Sequence, residues 1–274
     1  MFVSEHVDAF RKLHPTPPML PGISQGEGKA PKLWFRAVDP SLSKLDHSLL
    51  DDAPVSRTSL LEFQASNMPT PELCVSIFAW GGMRTSNGKY LFGQHITTWL
   101  EVAERLRAGA IDRKEGYNEF ASLRKKKNLA GLGPAYFTKL LYFLPPRAHK
   151  GYIMDQWLGL SINILAGQEI VKLNESITWE WKPKKAHPRF DSLVSDYNDG
   201  VDYERFCQKI ELLSKEMGSG WTPEITELAL ISEGGRGNSR KGWRDYVVKQ
   251  RHARLLHPDY HSTNGCLLPL SDRG

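Results

Sequence analysis

The 274-residue sequence predicts a mostly α-helical protein. Apolar residues recur at helical spacing in one segment after another between Leu60 and Ile231. Helix start and stop signals bracket most of those segments. Strand-like patterning is confined to a short apolar run near Leu33–Val38.

Residues 1–58 are rich in Pro, Ser, Gly and Asp. HPTPPMLPG carries four prolines and cannot form a regular helix. This region reads as an irregular arm with one or two short strands around Leu33–Val38. Helical patterning begins at Leu60. Thr70-Pro71-Glu72 is a helix start, with a capping hydroxyl, proline in the first turn and an acid near the positive helix end. That helix runs through Leu73, Ile77 and Phe78 to Gly81-Gly82. The next carries Ile96, Leu100, Ala103 and Leu106 on one face and stops at Gly109. Asp112 opens a third, with Tyr117, Phe120 and Leu123 apolar, which ends in Arg124-Lys125-Lys126-Lys127. After Asn128–Pro134 another helix reaches Leu144, where Pro145-Pro146 ends it. Asp155 begins a helix to about Leu165. Residues 174–200 read as a long loop, because Pro183 and Pro188 interrupt it and only Trp179 and Trp181 alternate. Val201–Met217 and Thr222–Ile231 are further helices, and Gly234–Asn238 reads as a joint. The reading divides the chain into an arm (1–58), a core (59–235) and a basic extension (236–274).

Composition narrows the function. No apolar run is long enough to span a bilayer, and the first residues lack a secretory pattern. Cys74, Cys207 and Cys266 are far apart and form no CxxC pair. That argues for a reducing, cytoplasmic setting and against a disulfide framework, a structural zinc or a four-cysteine cluster. His252, His257 and His261 have no partner spacing for a metal, so none is expected. The net charge of +5 is modest, but residues 236–274 carry eight basic against three acidic side chains. That excess leans toward a polyanion.

Two stretches carry the chemistry: Leu129-Ala-Gly-Leu-Gly-Pro-Ala-Tyr-Phe-Thr-Lys-Leu-Leu-Tyr-Phe-Leu144 and Gly151-Tyr-Ile-Met-Asp-Gln-Trp157. A Gly131-x-Gly133 turn opening directly onto a helix presents backbone N–H groups at the positive helix end, an arrangement suited to phosphate. On spacing alone it is equally an ordinary interhelical turn. Together the two stretches resemble the helix-hairpin-helix DNA glycosylases, closest to bacterial proteins with an 8-oxoguanine-glycosylase fold. Those proteins have a Leu-x-Gly-x-Gly hairpin, an apolar helix, a Pro/Gly loop and an aliphatic pair before an Asp. Here the ending is Ile153-Met154-Asp155, and Asp155 lies 22 residues after Gly133. The specific match covers about 30 residues, and a looser one about 70–235.

The resemblance implies two helical subdomains with an active-site cleft between them. It further implies duplex DNA containing a modified base as the partner, base extrusion, and excision without a cofactor by a cytoplasmic, nucleoid-associated monomer. The base would be 8-oxoguanine-like or a hypermodified phage base. Asp155 would stabilise the cationic sugar; its alternative role is a plain helix cap. In bifunctional members a lysine follows the second glycine by two residues, and Ala135 stands there. Lys139 lies one helical turn further on, and its ammonium can lean back toward the same place. In an apolar helix it could lose its proton and attack C1′, which would add lyase activity; the alternative is a surface lysine. Gly131, Gly133, Ala135, Lys125, Lys126, Lys127 and Arg251 are the expected DNA contacts. Trp80, Met83, Gln156 and Trp157 are the candidate base-pocket residues, with core packing as the competing role for both tryptophans and the methionine. A hairpin protein that grips DNA without chemistry, and a purely structural helical protein, are the other readings.

Overall fold

A computed structural model describes residues 1–18, 28–38, 47–93, 96–126, 129, 131–146, 149–182, 185–231 and 242–255. Lys127, the expected joint at 234–238, Cys266, His257, His261 and most of the basic tail lie outside the described residues. The described chain is mostly helical, as expected. Its helices are α1 (Ser4–Leu13), α2 (Pro31–Arg36), α3 (Arg57–Ala65), α4 (Thr70–Trp80), α5 (Thr85–Phe92), α6 (Ile96–Arg107), α7 (Arg113–Lys125), α8 (Pro134–Phe143), α9 (Gln156–Ala166), α10 (Gly200–Met217), α11 (Pro223–Ile231) and α12 (Gly242–Leu255). A hairpin, β1 (Leu173–Lys182) and β2 (Lys185–Val194), lies between α9 and α10. None of these helices is long and apolar enough to cross a membrane.

Local signals explain most of the boundaries. Asp112 and Glu115 form a reciprocal capping box at the start of α7, and Asp199 and Asp202 form another at α10. Gly109, with φ of 67°, ends the turn after α6 in the left-handed region that glycine tolerates.

The helices form two groups. In the first, α2, α3 and α6 pack on α4, whose Leu73, Cys74, Val75, Ile77 and Phe78 are wholly buried. In the second, α1, α10, α11 and α12 pack around α9. Two helices join the groups: α7 touches α6, α8 and α10, and α8 touches α3, α4 and α7. One continuous hydrophobic core runs through both.

Two expectations fail. Among the described residues of the N-terminal segment there is no strand near Leu33–Val38. That segment contains α1 and α2, and Trp34 and Phe35 of α2 are buried against the first group. Pro31 in the first helical turn starts α2, whose short aromatic run mimics a buried strand. Nor are residues 174–200 a loop. The antiparallel register Leu173↔Val194 to Lys182↔Lys185 pairs them as a hairpin. In a two-stranded sheet both strands are edges, so Pro188 costs no central ladder bond.

The first and last described helices, α1 and α12, pack together. His6 Nδ1 lies 2.7 Å from the Tyr246 hydroxyl, and Phe10 packs edge-on against Trp243. Trp243 Nε1 donates to Ser161 Oγ at 3.0 Å, which fastens α12 to α9.

Candidate active site

Asp155 is the residue before α9. Its Oδ1 accepts from the backbone N–H of Trp157 (2.8 Å) and of Leu158 (2.9 Å). It therefore caps the helix with one carboxylate oxygen, and Oδ2 takes no part in those two bonds. The residue is half-buried. Its carboxylate sits at the positive end of a helix dipole, which favours a negative charge there.

The four residues before it are pinned one by one. Gly151 N–H donates to Leu141 O at 3.0 Å. Tyr152 O accepts from the Tyr203 hydroxyl at 2.7 Å. Ile153 N–H donates to Glu227 Oε1 at 2.8 Å, and Met154 N–H to Thr138 Oγ1 at 3.0 Å. Gly151 is required here because a Cβ would fall 2.2 Å from the Tyr203 oxygen. Thr138 in turn donates to Pro134 O at 2.7 Å, so one buried hydroxyl ties the approach to Asp155 to the first turn of α8.

Glu227 is fully buried and ion-pairs with Arg57, itself 5% exposed. Arg57 also donates to the Tyr142 hydroxyl at 3.2 Å, and its guanidinium lies over the Tyr142 and Trp80 rings. Burial works to lower the Arg57 pKa, but Glu227 and Tyr142 outweigh it and hold the group firmly cationic. None of Arg57, Glu227, Thr138 and Tyr203 was picked out from sequence. Arg57 and Glu227 are 170 positions apart, and no local pattern pairs them.

Lys139 is next to Thr138 on α8. Its Nζ donates to Ala135 O at 2.5 Å, so the side chain leans toward the helix start as helical geometry requires. Its stem crosses Gly81, where a Cβ would lie 2.6 Å from Lys139 Cδ. Burial pushes its pKa below the ordinary lysine value. The Asp155 carboxylate opposes that shift, Arg57 adds to it, and Glu227 opposes it. The side chain is densely surrounded yet keeps some contact with water. Asp155 is thus near enough to Lys139 for its charge to act on the amine.

The other expected site residues divide. Gly131 adopts φ of 92° and packs on Asn87, while Gly133 precedes α8, whose start carries no side-chain cap. Ala135 is in the first turn of α8, and Lys125 and Lys126 are exposed at the end of α7. Gln156 and Trp157 are half-buried beside Asp155, with Arg244 stacked 4.4 Å from the Trp157 ring centroid. Trp80 is half-buried, and its Nε1 is enclosed without a hydrogen-bond partner among the described residues. Met83 is a correction: it is wholly buried, with its carbonyl accepting from Trp34 Nε1, and so has no face to offer a base. Arg251 is a second correction. It is 6% exposed, donates to Glu175 Oε1 at 2.7 Å and to Asp191 O at 2.6 Å, and clamps α12 to the hairpin. His252 joins no group of metal-binding residues among the described residues.

A cavity of about 360 Å³ opens at the far end of α8, lined by Tyr142, Phe143, Lys150, Glu224 and their neighbours. Neither Asp155 nor Lys139 lines it. What sets Asp155 and Lys139 apart is an anchored capping acid and a buried amine that feels its charge.

A Gly-x-Gly turn, an apolar helix and a capping aspartate held against that helix define a helix-hairpin-helix class of protein. The chain matches the family described as "Putative 8-oxoguanine DNA glycosylase OGG-like protein" over residues 24–231, and it belongs to that family. No curated protein matches it. No solved structure matches it either. The family match points to DNA as the partner and includes every site element from Arg57 to Glu227; α1 and α12 lie outside it.

Proposed function

We propose that this protein is a DNA N-glycosylase that extrudes a modified base from duplex DNA and cleaves its N-glycosidic bond at Asp155. The observation that carries the reading is the anchored Asp155 carboxylate, with Lys139 in the same electrostatic neighbourhood. As the base leaves with the bonding electron pair, the sugar becomes an oxocarbenium-like cation. A fixed carboxylate in a partly desolvated site stabilises that cation, because little reorganisation is needed. Lys139, once deprotonated, donates its lone pair to C1′. Loss of the amine proton and opening of the sugar ring then give a Schiff base that permits strand cleavage. Water in the same place gives base excision alone.

The Gly131–Gly133 turn and the uncapped first turn of α8 would hold a backbone phosphate, with Lys125 and Lys126 beside it. Trp80, half-buried with its ring under Arg57 and against Phe143, would border the extruded base. We assign the substrate to 8-oxoguanine-like or hypermodified bases and the active form to a monomer in the cytoplasm.

Borohydride trapping on duplexes carrying a panel of modified bases tests the lysine role. A covalent adduct that disappears in Lys139→Gln supports it. Base release with no trapped adduct removes Lys139 as nucleophile and leaves Asp155 in place. No base release from any duplex removes the enzyme reading.

A further inference from the structure

The turn between β2 and α10 presents Tyr197 with 80% of its surface exposed. This turn is built with unusual care. Asn198 is 1% exposed; its amide donates to Lys172 O at 2.9 Å and Ser195 O at 2.8 Å, and its carbonyl accepts from Lys172 N–H at 2.8 Å. Ser195 N–H donates to Lys172 O at 3.0 Å, and Ser195 Oγ accepts from Tyr197 N–H at 3.3 Å. Asp199 caps α10 immediately afterwards. The backbone on both sides of Tyr197 is thereby fixed, and none of these bonds involves its ring. A large amphipathic side chain on a rigid turn loses little conformational freedom when it meets a partner.

The turn lies beside the candidate phosphate site. Asp196 pairs with Arg124, whose guanidinium carbon lies 3.8 Å from where a Cβ on Gly133 would stand. Arg124, Pro134, Asp196 and Asn198 line one small void with Tyr117 and Phe137. The Tyr197 turn is thus packed against the start of α8, and Arg124 links it to Gly133. The carboxylates nearby are engaged: Asp196 with Arg124, Asp199 in the α10 cap, and Asp202 with Lys172. On the α7 side Lys125 and Lys126 are exposed.

We propose that Tyr197 is a DNA-contacting aromatic that stacks on a base unstacked where the duplex opens near the phosphate held at Gly131–Gly133. This inference rests on the glycosylase reading of that turn. It adds a sequence-tolerant contact that does not depend on salt to a grip otherwise made by phosphates.

Fluorescence anisotropy of the full chain with a short labelled duplex carrying an abasic analogue tests it, over a salt series. Tyr197→Ala is expected to weaken binding about tenfold or more, with the slope of log K against log salt unchanged. Tyr197→Phe is expected to bind as the wild type. Because the ring is exposed, neither variant should shift Tm, so loss of fold cannot account for the result. Equal affinity of wild type and Tyr197→Ala overturns this inference alone. So does a wild-type dimer that Tyr197→Ala dissociates without changing DNA affinity. A wild type with no salt-dependent duplex affinity overturns both this inference and the functional reading beneath it.

Discussion

Removing Glu227 tests how the approach to Asp155 is held. Glu227→Ala leaves Arg57 as an unpaired buried cation and Ile153 N–H without its acceptor. Breaking a buried pair by deleting one partner costs about 3–5 kcal/mol. For a chain of this size each kcal/mol lowers Tm by roughly 2–4 °C, so the expected fall is on the order of 10 °C. The double variant Arg57→Met/Glu227→Met removes both charges and fills similar volume, which is often neutral for stability. It still leaves Ile153 N–H unsatisfied, at about 1–3 kcal/mol. Differential scanning calorimetry should therefore place the double variant above Glu227→Ala in Tm. Hydrogen exchange should show the Ile153 amide less protected in both. If Glu227 holds the segment, the double variant will remain slow in base release although its stability is largely recovered. A Glu227→Ala protein within about 1 kcal/mol of wild type, or a double variant with full base release, would refute the reasoning.

Two further outcomes follow from the same geometry. The Lys139 pKa is lower in the folded protein, mainly through burial, so the unfolded chain holds the extra proton. Its contribution to stability therefore rises as pH climbs through the folded-state pKa, and levels off above the unfolded-state value. Lys139→Met should raise Tm at neutral pH, and thermal melts should show the gain shrinking toward alkaline pH; a constant gain would contradict the shift. Arg251→Ala should lower Tm, because Glu175 loses a buried partner, while duplex affinity in a titration stays at the wild-type value; a loss of affinity at unchanged Tm would restore the DNA role expected from sequence.

The parts of this fold legible in the sequence are those governed by neighbours along the chain. Asp155 as a helix cap, Asp112 with Glu115 three residues on, and Gly131-x-Gly133 before Pro134 all act within one turn, so their spacing exposes them. Residues whose role depends on tertiary contact were hidden. Arg57 reads as an ordinary surface arginine until Glu227 and Tyr142 enclose it. Arg251 sits in a basic helix that suggests DNA, but Glu175, supplied by a hairpin that was itself missed, turns it inward. Leu33-Trp34-Phe35 suggested a strand because a short aromatic run carries no period, and burial against α4 and α5 decided the matter for helix. The position of Lys139 was half legible. Its apolar helix marked it as unusual, while Arg57 and Glu227, which bias its charge, are far away in sequence.

Single-turnover base release by Asp155→Asn, on whichever modified duplex the wild type cleaves, tests the central claim most directly. Asparagine caps helices about as well as aspartate, so Tm should move by only about 1–2 °C. Removing the charge should slow release by at least about 100-fold while duplex binding persists. A rate equal to the wild type from a folded Asp155→Asn protein would show that this carboxylate only caps its helix.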